Sequence, residues 1–150
     1  MFDPTVFNEC KTKYETEMKI NHGIASDNAA FQYGICLIEH PDLDNVKKGL
    51  NIMRPLYEQG DADLREQILF YLAKAEFTLK NFLTAKTYCE EMLKIKPNCF
   101  QAKHLLDEID SSMKKDGMIG LAATAGLLAF TGALGTVLTF AFMKGKKGSK

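Results

Sequence analysis

DADLREQILFYLAKAEFTLKNFLTAKTYCEEMLKIKP, residues 61–97, is the stretch from which the fold is read. Its apolar residues recur at helical spacing, and no part of it alternates apolar and polar with β-branched enrichment. The punctuation predicts two helices, from about Asp61 to Lys80 and from Phe82 to Ile95, with Asn81 at the turn and Pro97 as the stop. Leu69, Leu72, Ala73, Phe77, Leu79, Phe82, Ala85 and Pro97 carry the pattern. The small residues Ala73 and Ala85 are 12 apart, where two paired helices must approach closely.

This spacing is that of a tetratricopeptide repeat. Working outward, a second pair precedes it, from about Asp27 to Glu39 and from about Asp44 to Gln59. Pro41 stops the first of these helices, and Gly60 is the expected C-cap of the second. Gly34 and Gly49 can play the close-packing roles but are 15 apart, so this repeat is degenerate, with a longer connection through HPDLDN. Asp3-Pro4 opens a first helix to about Ile20, ended by Asn21-His22-Gly23. Asn98, with Gln101 three residues on, predicts the start of a sixth helix that runs past Met113, with any break near Gly117. The expectation is an all-α, six-helix tetratricopeptide-like bundle over residues 1–116, two helix-turn-helix repeats flanked by capping helices that close the stack.

The C-terminal stretch is of another kind. From Gly117 to Met143, 27 residues carry no charge, and the seven that follow, KGKKGSK, hold Lys144, Lys146, Lys147 and Lys150. A hydrocarbon core needs roughly 20 apolar residues as helix, and no loop could cross it with its backbone groups unpaired. Residues 117–143 are therefore expected to be a single transmembrane tail anchor in the lipid bilayer, inserted after translation, with residues 144–150 a short basic tail and residues 1–116 in the cytosol. A core helix apolar all round is rare in so small a domain, and no N-terminal signal peptide is read, since Asp3, Glu9 and Lys11 interrupt any apolar run. Of the 27 residues 15 are Gly, Ala or Thr, and a moderately apolar anchor with a basic flank is associated with the mitochondrial outer membrane and peroxisomes. Small residues four apart, Ala122 with Gly126 and Thr131 with Gly135, would allow weak homo-oligomerisation through the span.

Charge and chemistry exclude more than they indicate. All 19 acidic residues but only 15 of the 19 Lys and Arg lie in 1–116, so the domain is acidic and a poor nucleic-acid binder. Cys10, Cys36, Cys89 and Cys99 form no metal-ligand or disulfide spacing and read as small buried hydrophobes. No phosphate-binding glycine loop and no H-E-x-x-H pair occurs. His22, His40 and His104 read as isolated loop or surface residues. Glu90-Glu91 and Asp107-Glu108 read as solvated faces with lysine partners, such as Glu90–Lys94. A binding protein is expected, with no catalytic residues, metal or cofactor.

Four pieces in order, F-x-Y-G-x-C-L at Phe31–Leu37, K-K-G-L at Lys47–Leu50, F-Y-L-A at Phe70–Ala73 and M-K-K-D-G at Met113–Gly117, resemble the mitochondrial fission 1 protein family over essentially the whole chain. The resemblance implies a receptor or adaptor platform on the outer membranes of mitochondria and peroxisomes, serving a dynamin-related GTPase or its cytosolic adaptors. In that family a WD-repeat adaptor bridges the two in yeast, and Rab GTPase-activating proteins are implicated in animals. Family members commonly carry an N-terminal arm over the groove. Only Met1–Asp3 precede the first helix here, so regulation by an arm is not expected.

In such arrays the first helix of each pair lines a concave groove. Setting Gly34 equivalent to Ala73 puts Phe31, Ile35 and Ile38 there from one repeat and Gln67, Phe70, Lys74, Phe77 and Thr78 from the other. The resemblance adds Tyr33, Leu37, Tyr71 and Leu72. Leu37 and Leu72 read most simply as core, and Phe31, Phe70 and Phe77 as aromatic anchors for an amphipathic helix or extended peptide. Two competing readings are a co-chaperone or import receptor and a tether between organelles. A chaperone-tail clamp needs several basic and amide groups, and the register supplies only Lys74 and perhaps Asn28. A tether needs a second contact site, and none is seen.

Overall fold

The computed structural model describes residues 1–117, which form six α-helices and no strand. The expected membrane span from residue 118 to Met143, its small-residue pairs, and Lys144, Lys146, Lys147 and Lys150 lie outside the described residues. No helix among the described residues is long and apolar enough to cross a membrane.

The helices are α1 (Pro4–Ile20), α2 (Asp27–Ile38), α3 (Leu43–Gln59), α4 (Ala62–Thr78), α5 (Phe82–Ile95) and α6 (Phe100–Lys115). The caps explain most boundaries. Asp3 accepts from the Thr5 and Val6 amides at 2.8 and 3.3 Å, with Pro4 at the first helical position. Ser26 caps α2 through the Ala29 amide, and Asp42 and Asp61 cap α3 and α4.

Some boundaries differ from expectation, for local reasons. Gly60 does cap α3, but in extended backbone (φ −70°, ψ 161°), not the left-handed conformation. α4 stops at Thr78 because Lys80 turns left-handed (φ 63°) and the Asn81 amide reaches back to the Glu76 carbonyl at 2.8 Å. Residues 97–98 form a turn, so α6 starts at Phe100 and Asn98 is not its cap. Lys94 pairs with Glu91 at 2.8 Å, one position nearer than the Glu90 expected from sequence. α3 continues through Pro55, which has no amide hydrogen to donate.

Residues Met1–Ile109 form one compact unit; the second begins at Asp110, and its described part is the end of α6 and the turn at Gly117 (φ 70°). Within the first unit α2 pairs with α3 and α4 with α5, and α3 packs on α4 to join the pairs. Leu37, Val46, Met53, Ile68, Leu69, Leu72 and Cys89 are fully buried between them. Ala73 and Ala85 have no exposed surface, as their spacing predicts. α1 packs on α2 and buries none of its residues fully. Of the cysteines only Cys89 is a buried hydrophobe; Cys10, Cys36 and Cys99 are half-buried.

The tightest approach in the degenerate pair is between its two glycines. A Cβ on Gly49 would lie 2.7 Å from Ile38 Cγ1 and 3.1 Å from the Gly34 carbonyl oxygen. A Cβ on Gly34 would meet the Met53 side chain, its terminal carbon at 2.8 Å. Gly49→Ala is expected to lower stability by about 1–3 kcal/mol through overpacking, in spite of alanine's better helix propensity. Gly34→Ala should cost less, because the flexible Met53 end can yield. Urea unfolding followed by circular dichroism would check this. An unchanged midpoint for Gly49→Ala would show that α2 and α3 separate freely.

Candidate functional site

From Ile68 to Phe77 α4 carries apolar residues on most of its sides, and the structure decides which face is core. Leu69, Leu72, Ala73 and Glu76 point inward, so Phe70, Lys74, Phe77 and Thr78 are carried to the opposite side. There they meet a face of α6, Phe100, Gln101, His104, Leu105 and Glu108, and together enclose an open cleft of about 440 Å³.

The floor is apolar. Phe70 lies 5.4 Å from the Tyr71 ring, edge to face, and Phe77 is 5.9 Å from the buried Phe82. Phe100 closes one side with 80% of its surface exposed, which is unusual for a ring that large. The rim is charged. Lys74 forms an ion pair with Glu39 at the end of α2, and His104 Nδ1 is 3.7 Å from a Glu108 carboxylate oxygen. Thr78 donates its hydroxyl hydrogen to the Lys74 carbonyl at 2.9 Å, on its own helix.

The remaining expected groove residues divide by position. Leu37 and Ile38 are buried at 0% and 3% exposure, so their side chains belong to the core between the helix pairs. Phe31 is also buried, its ring edge to face with Tyr71 at 6.0 Å. Tyr33 lies beneath α1, 5.9 Å from the Phe7 ring and 5.0 Å from Tyr14, and burial there pushes its phenol up from the ordinary range. Ile35 and Tyr71 are half-buried. Gln67 is exposed, its amide donating to the Asp63 carbonyl of its own helix.

His40 is not isolated. It packs against Phe2 at 4.5 Å and Phe7 at 5.1 Å, and its Nδ1 accepts from the Asp42 amide at 3.0 Å. The α6 side of the cleft is absent from the sequence reading, which gave that helix only a capping role. The available signal is the i, i+4, i+8 series Phe100, His104, Glu108, which marks one face of a helix.

Comparison with known proteins is consistent with this architecture. The model of the family described as Fis1 C-terminal tetratricopeptide repeat matches residues 66–118, which contain every residue lining the cleft. The mitochondrial fission 1 protein of Bos taurus is 32% identical over 136 residues, covering 89% of this chain and 90% of that protein. The chain belongs to the mitochondrial fission 1 protein family. The Homo sapiens member is 32% identical, covering 83% of this chain and 82% of its own length. The Yarrowia lipolytica member is 33% identical, covering 73% and 71%. Among solved structures, yeast Fis1 in complex with an Mdv1 fragment matches with a TM-score of 0.68 at 20% identity, covering 77% of this chain and 88% of that one. The crystal structure of Fis1 from Saccharomyces cerevisiae matches with a TM-score of 0.67 at 19% identity, covering 79% and 88%. At such identities the structural likeness is one of fold.

Core and cleft residues of this chain should separate in stability measurements. Leu72→Ala is expected to lose about 2–5 kcal/mol, as a fully buried leucine does. Phe100→Ala should stay within about 0.5 kcal/mol of the parent, as exposed positions do. A comparable loss in both variants would place Phe100 among the residues that hold the fold together.

Proposed function

We propose that the chain is a docking platform of the organelle fission machinery at the mitochondrial outer membrane, and at peroxisomes. In this reading residues 117–143 anchor it in the bilayer. The cleft between α4 and α6 receives an amphipathic segment of a cytosolic adaptor, which brings in the dynamin-related GTPase. The observation that carries the reading is the convergence of Phe70, Phe77 and the exposed Phe100 on one open cleft with a charged rim. Aromatic rings around an apolar floor are the usual anchors of a helix laid in a groove. Family membership supports the fission role, and yeast Fis1 with its Mdv1 fragment supplies the example of a cytosolic adaptor. The co-chaperone reading loses support, because Lys74 already has Glu39 as its counter-ion.

Full-length protein in lipid nanodiscs would be titrated with the purified adaptor coiled-coil fragment and, separately, with the GTPase. Phe77→Ala and Phe100→Ala together should weaken adaptor binding by tenfold or more, in line with loss of about 2 kcal/mol or more at an aromatic anchor. Binding unaffected by these changes would move the site off the cleft. Binding of an acidic chaperone tail in preference to both would favour the co-chaperone reading.

The basic tail has its own test. Serine at Lys144, Lys146, Lys147 and Lys150 is expected to redistribute a fluorescent fusion from mitochondria to the endoplasmic reticulum, if those charges direct sorting. Undisturbed mitochondrial fluorescence would remove them from the targeting signal.

A further inference from the structure

The contact between α1 and α2 holds two cysteines at one level. On α1, Cys10 lies one turn after Phe7 and one turn before Tyr14; on α2, Cys36 lies one turn after Tyr33, and His40 follows just past the end of that helix. The rings on either side are paired across the contact: Phe7 with His40 at 5.1 Å and with Tyr33 at 5.9 Å, and Tyr14 with Tyr33 at 5.0 Å. This ring pairing sets the register of the helices and places Cys10 and Cys36 at one level of the contact between them. Cys10 acts on the Cys36 thiol across this contact, adding to the larger effect of burial in pushing it up, and both residues are half-buried, so a small oxidant can reach them. Cys89, in contrast, is fully buried.

We propose that Cys10 and Cys36 form an oxidisable dithiol, which hydrogen peroxide converts to an intramolecular disulfide stapling α1 to α2. In the first step Cys10, as its thiolate, attacks one peroxide oxygen; the O–O bond breaks, giving a sulfenic acid and hydroxide. The Cys36 sulfur then attacks the Cys10 sulfur, the S–O bond breaks, and the thiol proton leaves with the hydroxyl as water. The hydroxide takes up the proton released by Cys10. In total two thiols are oxidised by two electrons and one peroxide is reduced to two waters. Burial first, and then Cys10, push the Cys36 thiol up, which disfavours Cys36 as the first nucleophile and suits it to the resolving step.

The bond would act where the unit is least secured. α1 has no fully buried residue and packs on α2, so in the reduced protein it is held mainly by half-buried rings. Closing the segment from Cys10 to Cys36 would restrict the unfolded chain and suppress separation of α1 from the bundle.

The test uses the full-length protein, reduced, in detergent micelles and treated with stoichiometric hydrogen peroxide, with free thiols then alkylated and peptides mapped by mass spectrometry. The expected result is a Cys10–Cys36 linked peptide from the monomer, two hydrogens lighter than the separate peptides, with Cys89 and Cys99 alkylated. The melting temperature should rise by several degrees, return with a thiol reductant, and not respond to peroxide in Cys36→Ser. Separate alkylation of Cys10 and Cys36 after treatment, sulfinic acid at either, or disulfides between chains only would overturn the proposal. Cys10→Ser, at a half-buried position, provides a second folded control.

Discussion

A buried carboxylate holds the two helix pairs together. Glu76 lies on the inner face of α4 with 2% of its surface exposed, and its partners come from both neighbours. Arg54 of α3 donates to one oxygen at 2.7 Å, and the Asn81 amide, at the start of α5, donates to the other at 2.7 Å. An ionised group taken out of water is costly unless paired and hydrogen-bonded. Separation of α3 from α4 would therefore leave that charge without its counter-ion, and displacement of Asn81 would strip the other oxygen of its hydrogen bond. Tyr88 stands in the same surroundings, where burial above all pushes its phenol up. Asn81 makes no side-chain cap to α5 because its amide is committed to Glu76.

This constraint sets the rotation of α4, and the cleft follows from it. With Glu76 and Leu72 inward, Lys74 and Phe77 lie on the outer side of the same helix. The Lys74–Glu39 ion pair then joins the cleft rim to the end of α2, beside the His40 ring cluster that packs under the N-terminal residues. The apolar floor and its charged edge are thus two consequences of one helix orientation.

Helix positions were readable from sequence because their signals are local. Asp3-Pro4, Pro41, Pro97 and the small residues Ala73 and Ala85 act within a turn or two of their own backbone. The cleft was read only in part. Phe70, Lys74, Phe77 and Thr78 line it, whereas Leu37 and Ile38 are core and Tyr33 is under α1. In a helix apolar on most sides, periodicity carries no mark of which face meets a neighbour. Phe100, His104 and Glu108 mark one face of α6 in the sequence, but nothing local to that helix says that this face lies opposite α4.

By itself, then, the sequence determined the number, order and most ends of the helices, the close-packing sites and the family, since these depend on residue types at fixed local spacing. Tertiary structure alone decided that Glu76 is an interior charge with partners from α3 and the start of α5. It also decided that α6 completes the cleft and that Cys10 and Cys36 lie at one level of the α1–α2 contact. Each of these joins residues separated by at least a helix or a turn, and their distance is set by how the helices rotate against one another.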